Sequence, residues 1–457
     1  MTQKSIFFES LDDMVDANDP CRLVSALVDL LDVSCLTKRL SLQGGASYHP
    51  SLMLKLWMFS LWDGERSSRK IEKRCSVDLR YKWLAEGLVP DHTTLHRFRR
   101  FLGPSLDEML AESVALGRKI GMEGLGRASI DGTKLPGAAS QWRVFREESE
   151  LADEDLEAEV EDDDQNPGTK SGRRRVALPS KDADARTMRS RSGQFIVGYN
   201  AQFLHDCDTD LVLATSVSSE ASDAAQLAPT LDKCLDLHEE LPGELLADAG
   251  YDTPANAQVL AELGIDATVA ASDRSMKWSV DERGLAICPA GHLADRRSSF
   301  KKNGVPVVRF HVDECPNCSL RSGCLKNERA KSKTISLQAD ASLVHWIRQR
   351  EKACSEAGKE GLKERAETVE FAFARVKERF GLRRLLLWGL EGARIETTFA
   401  ALTLNLAVLG AKLGLEGVRE LLSRIFRFLS RLQDLLERLS WPTHASHRTS
   451  IKLSANH

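Results

Sequence analysis

Apolar positions in the first 120 residues recur at helical spacing and are broken at Pro20, Gly44, Gly45, Pro50, Gly64 and Pro90, which predicts a set of short helices. Residues 64–102, GERSSRKIEKRCSVDLRYKWLAEGLVPDHTTLHRFRRFL, are the most informative. Ser67 or Ser68 can cap a helix through Cys75, and a second short helix follows near Val77–Ala85. Gly87 and Pro90 make a turn, and Asp91, Thr93 and Thr94 offer N-cap oxygens to a third helix. There Leu95, Phe98 and Leu102 fall at i, i+3 and i+7 as a core stripe, leaving His96, Arg97, Arg99 and Arg100 on the remaining surface. This is the layout of a helix-turn-helix unit with a basic last helix. A solvated basic face on a packing helix is the alternative reading.

From Gly126 the period changes. RASIDGTKL (127–135), QFIVGYNAQFL (194–204) and LVLATSVS (211–218) read as three meandering strands. ELLADAG (244–250) carries the continuous apolar run of a buried strand, and DATVAAS (266–272) is a fifth; helices are expected near Asp223–Leu237 and Thr253–Leu263. The pattern predicts an α/β fold with a mixed five-stranded sheet and flanking helices. The polar insert 136–192 reads mostly as loop, residues 281–330 concentrate cysteine, and residues 340–412 read as helical. A last amphipathic helix, 415–440, repeats Val418, Leu421, Leu422, Ile425, Leu429, Leu432, Leu436 and Leu439; packing on the rest of the protein or pairing with a second copy would use that face.

Charge alters this picture locally. The 457 residues carry a net charge of −4, but residues 147–164 hold 12 acids and no base. Outside that run 63 bases face 55 acids, a mildly basic body that permits phosphate binding without demonstrating it. The expectation is a cytoplasmic protein with reduced thiols: no run of ~18 apolar residues lacks a charge, and MTQKSIFFESLDD has no signal-peptide layout.

Three acids stand out by position. Asp131 interrupts the first strand, Asp248 ends the fourth, and Glu370 sits in the helical run KERAETVEFAFARVKERF. If the first and fourth strands are neighbours, the two aspartates lie side by side, and a helix across the sheet can bring Glu370 to them. Gathered carboxylates suit Mg²⁺ or Mn²⁺, and a pair of such ions suits phosphodiester chemistry. An aspartate at a strand end is also an ordinary turn residue.

The motifs around these acids resemble a known family. HPSLMLKLWMFSLWDGERSSRKIEKRCSVDLRYKWLAEGLVPDHTTLHRFR, SIDGTK, SKDADAR, GYNAQ, LLADAGYDT, RAETVEFAFARVK, WGLEG and LTLNL occur in that order. Over residues 8–413 the chain resembles the DDE transposases of bacterial insertion sequences, which have a ribonuclease-H-like core; it is most similar to the branch catalogued under insertion sequence 1182. The resemblance implies that Asp131, Asp248 and Glu370 are catalytic and hold two Mg²⁺ (or Mn²⁺) ions. It implies Arg365 and Lys377 as their basic companions near DNA. Arg97, Arg99 and Arg100 are the candidate contacts to double-stranded DNA, at the element's terminal inverted repeats. The implied activity is hydrolysis at the element end and strand transfer into target DNA, by a homodimer that brings two ends together. A catalytically inactive or repurposed DNA-binding protein is the alternative.

Cys288, Cys315, Cys318 and Cys324, spaced C-x₂₆-C-x₂-C-x₅-C, form a candidate structural zinc site, with His292 and His311 as substitutes and four packed thiols as the other reading. The expected divisions are a helical end-binding domain at 1–121 and a catalytic domain at 122–280 and 331–412. A cysteine-rich insertion occupies 281–330, and a helix with a tail occupies 413–457.

Overall fold

The computed structural model describes residues 10–41, 48–139, 145–147, 175–177, 182–190, 193–271, 279–280, 286–294, 296–302, 305–325, 331–338 and 342–439. The acidic run at 148–164 and the tail beyond 439 lie outside the described residues.

Eight helices come first: α1 (Leu11–Met14), α2 (Pro20–Val28), α3 (Ser34–Ser41), α4 (Pro50–Trp62), α5 (Ser68–Val77), α6 (Leu79–Leu84), α7 (His92–Leu102) and α8 (Leu106–Lys119). The cap of α7 is the one the sequence offers. Asp91 accepts from Thr93 N and Thr94 N at 2.9 and 3.0 Å, which starts α7 where the 90–91 turn releases the chain. Helix α4 is apolar nearly all round, and Leu52, Met53, Leu54, Leu56, Trp57, Met58, Phe59 and Leu61 are all buried, so it runs through the middle of this layer.

The main sheet is built from β1 (Arg127–Pro136), β4 (Arg186–Arg189), β5 (Phe195–Asp206), β6 (Val212–Ser218), β7 (Glu244–Ala247) and β8 (Asp266–Val269). A separate short pair, β2 (Phe145–Glu147) and β3 (Arg175–Ala177), lies within the insert. Strand β1 is central, antiparallel to β5 and parallel to β7, and β7 is parallel to β8. Strands β4 and β6 share the outer edge of β5 end to end. The sheet therefore has six strands, not five. The extra one, RTMR, buries only Met188, so its sequence carries no strand pattern. Helices α9 (Leu227–His238) and α10 (Pro254–Glu262) connect β6 to β7 and β7 to β8.

In the cysteine region two small sheets form: β9 (Ser279–Val280) with β10 (Ala286–Ile287), and β11 (Arg296–Lys302), β12 (Val305–Val312) and β13 (Lys333–Gln338) in an antiparallel row. Then come α11 (Arg321–Cys324), α12 (Ser342–Cys354), α13 (Glu356–Ala374) and α14 (Gly389–Leu439). Two acids of the SKDADAR segment fix the start of α14: Asp182 accepts from Gly389 N and from the Tyr199 hydroxyl, and Asp184 from Leu390 N. The first half of α14 is the core's main apolar helix; by length and composition it could cross a membrane, but 67% of that stretch is buried inside the protein. Asn405 there bonds both Val212 N and Val212 O, covering the edge of β6.

Gly414 (φ 65, ψ 174) breaks α14. Beyond it Val418 is buried and Leu421 and Leu422 are half-buried, but Ile425, Phe426 and Phe428 are exposed. Among the described side chains of the last amphipathic helix, Val418, Leu421 and Leu422 pack on the protein.

Candidate active site

Strand β1 places Ile130 opposite Ala247 of the parallel β7, so Asp131 and Asp248 are the next residues on neighbouring strands. They share a cavity of about 520 Å³ with Lys134, Arg189, Asp223, Arg365, Lys377 and Glu378. Asp131 is held on both oxygens: Oδ1 accepts from Gly132 N at 2.8 Å and Oδ2 from Arg365 Nη1 at 3.3 Å. Burial and then the charge of Asp248 push its carboxyl up to about 6, against the pull of Arg365. Asp248 caps the turn Ala249–Tyr251, accepting from Gly250 N at 2.8 Å.

Helix α13 crosses this end of the sheet, packing on β1, β7 and β8. Glu370 stands on it, one turn before Phe373 and Ala374, which line the cavity. The side chain of Glu370 lies outside the described residues. After Ala374 the helix widens into a π turn, Arg375–Arg379, which carries Lys377 and Glu378 to the cavity wall. Such turns are frequent at functional sites.

Sequence reasoning missed Lys134 and Asp223. Asp223 resembles an ordinary helix cap in SSEASDAAQL, and Lys134 sits in the SIDGTK motif without a partner nearby in sequence. In space Asp223 Oδ1 accepts from Lys134 Nζ at 2.7 Å, Asn200 Nδ2 at 2.8 Å and Gln202 Nε2 at 2.9 Å.

Of the three arginines placed on the basic face of α7, Arg97 and Arg100 are exposed. Arg99 departs from the expectation: it is 5% exposed, with Nη1 at 3.6 Å from Glu396 Oε1 and its guanidinium over the Trp57 ring. Phe98 and Leu102 are buried on the same helix, and Arg99 turns with them into the protein, where α14 supplies its counter-ion. Arg99 has no surface to offer DNA.

The four cysteines line one small cavity. Cys288, Cys315, Cys318 and Cys324 surround about 20 Å³ together with His292, room for a single small ion. The Lys333 amide donates to Cys315 Sγ at 3.1 Å, and burial raises the Cys324 thiol above its usual range, with Cys315, Cys318 and Cys288 near enough to add to the shift. His311 lies on β12 and is not among the lining residues. Among the described residues, no three His, Cys, Asp or Glu side chains are drawn together tightly enough to hold a metal ion as they stand.

Residues 9–101 match a transposase domain (DUF772), and residues 287–410 match a transposase DDE domain. No curated protein matches the chain. Among solved structures, the chain is similar to a piggyBac transposase in a cryo-EM synaptic complex with hairpin DNA, at 10% identity over 94% of this chain and 83% of that one, with a TM-score of 0.29. The superposition is too loose to bear on the fold.

Proposed function

We propose that this chain, a DDE-type insertion-sequence transposase, binds the terminal inverted repeats of its element, hydrolyses the phosphodiester there and joins the end to target DNA. The observation that carries the chemistry is the pair Asp131 and Asp248, on adjacent parallel strands in one cavity that α13 closes. We read β6-β5-β1-β7-β8 as a ribonuclease-H-like core on which this pair sits.

Asp131, Asp248 and Glu370 would hold divalent cations, two Mg²⁺ or Mn²⁺. The fit is chemical: a carboxylate pushed up by burial and then by its neighbour's charge is relieved by a divalent ion bound to hard oxygens. When bound, two such ions supply Lewis acidity and lower the pKa of an attacking water. The chain's own residues do the rest. Arg365 orients Asp131, and Lys377 on the π turn faces the same cavity, where a phosphate would sit. On α7, Arg97 and Arg100 are placed to take backbone phosphates of the element end. Two ends must meet, so the acting form is a homodimer on DNA. The direct test is joining. A pre-cut end with a free 3′-OH, incubated with the protein, Mn²⁺ and a supercoiled plasmid, becomes covalently attached; recovery of only free ends contradicts strand transfer.

The double substitution Arg97→Ala, Arg100→Ala is expected to weaken end binding and to lower the slope of log K against log salt by about 2. An unchanged slope takes α7 out of the interface. The four cysteines are assigned a structural Zn²⁺ that staples the small sheets of the cysteine region, closing on the ion when it binds. Elemental analysis of protein purified under reducing conditions should find about one zinc per chain, lost in Cys318→Ser; metal-free, fully folded protein contradicts the assignment.

A further inference from the structure

We infer that Lys134 is a phosphodiester-contacting residue of this cavity and that Asp223 is the residue that positions it, an inference that rests on the transposase reading of the same site. Lys134 lies on β1 three residues after Asp131, and its side chain is largely buried. An ammonium has three donors. One goes to Asp223 Oδ1 at 2.7 Å, which fixes the head group and leaves donors for a ligand in the cavity that Lys134 lines.

Asp223 is itself locked. Its Oδ1 also accepts from the Asn200 and Gln202 amides, Gln202 Nε2 donates to Asn200 Oδ1 at 3.0 Å, and the Tyr251 hydroxyl donates to Gln202 Oε1. Four side chains from β5, β1 and the turn after β7 thus share one network centred on Asp223. Gly132, next to Asp131, makes room for it. A Cβ on Gly132 would lie 2.5 Å from Asp223 Oδ1 and 2.6 Å from Gln202 Nε2. The glycine of SIDGTK therefore admits this carboxylate next to the strand of Asp131.

The other cations of the wall are differently engaged. Arg365 is committed to Asp131, Arg189 donates to Gly193 O at 3.4 Å, and Lys377 Nζ, carried by the π turn, stands over the Phe373 ring, 5.3 Å from its centroid. The acids facing the site are Asp131, Asp223, Asp248 and Glu378. Lys134 Nζ is thus the cation fixed closest in sequence to Asp131. There it would donate to a non-bridging oxygen of the attacked phosphate, whose charge grows as the bond to the incoming oxygen forms and the bond to the leaving oxygen breaks. The proton stays on the ammonium throughout.

A double-mutant cycle on the full-length protein tests this, with Mg²⁺-dependent cleavage of a duplex carrying the element ends, at saturating protein, as the readout. Lys134→Met should slow cleavage about 100-fold. Asp223→Asn should slow it about 10-fold, and the double variant should be no slower than Lys134→Met. Metal-free end affinity, thermal midpoint and half-saturating Mg²⁺ should hardly move; Lys134→Gln replaces Lys134→Met should the latter fail to fold. Full additivity together with a raised Mg²⁺ requirement in Asp223→Asn would make Asp223 a cation ligand and overturn the positioning role. Undiminished cleavage by Lys134→Met would remove Lys134. Failure of the wild type to cleave under any divalent metal is a different result: it sinks the transposase reading itself.

Discussion

Glu370→Gln is expected to cut DNA-end cleavage by about 1000-fold or more while leaving end affinity within about twofold. The substitution keeps the shape of the side chain and removes its charge. If the three acids hold cations as proposed, losing one charge would weaken cation binding and, with it, the activation of water that the ions would supply. The arginines assigned to DNA stand on α7, whose buried face packs on α4, α5 and α14. Their placement does not depend on the charge of Glu370, and binding should survive. Cleavage comparable to wild type would mean that Glu370 is not a member of the set. Loss of binding together with cleavage would mean that this stretch of α13 serves DNA contact or folding instead.

The second large effect is on stability. Glu396→Ala should lower it by about 3–5 kcal/mol, the usual cost of leaving buried charge unpaired, and the thermal midpoint by roughly 10 °C. Glu396 is buried on α14, ion-paired with Arg66 and Arg99 and accepting from Leu386 N and Leu387 N. Arg66 also donates to Gly381 O and Arg384 O, at 2.7 Å each. Arg384 in turn donates to the carbonyls of Gly137, Ala138 and Ala139, and Leu385 N to Pro136 O. The same buried charge thus ties the helical layer that carries α7 to the loop behind α13 and to the end of β1, the strand of Asp131. A midpoint unchanged within about 2 °C would show that these contacts carry no net stability. Because Arg66 and Arg99 both depend on it, Glu396→Gln, which keeps the hydrogen-bond acceptor, should recover only part of the loss.

Much of the site was legible because it rests on local patterns. The apolar run that ends in Asp248 is what a buried central strand looks like, and β-compatible residues surround Asp131; the parallel register of β1 and β7 then makes the two strands neighbours. The caps of α7 and the Leu95, Phe98, Leu102 stripe needed only nearest-neighbour rules. What escaped was set by partners far along the chain. Arg99 reads as one more base on a basic helix until Glu396, which lies on α14, is placed over it. Asp223 reads as a helix cap until β1 and β5 bring Lys134, Asn200 and Gln202 to it. Strand β4 was hidden because an edge strand with one buried residue has no alternation to read. The last helix was legible as amphipathic, but periodicity says nothing of what covers a face, and Phe426 and Phe428 prove to be exposed.

Asp131 and Asp248 are proposed to form a cation-dependent site that cuts DNA at the element's ends. The measurement that tests it most directly is nicking of a labelled duplex carrying the sequences that flank this gene, in Mg²⁺ or Mn²⁺, with wild type beside Asp248→Asn. The expected result is cleavage at the end junction by the wild type, dependent on the metal, and none by Asp248→Asn at equal end binding. Binding of the ends without cleavage under either metal, or equal cleavage by both proteins, would contradict it.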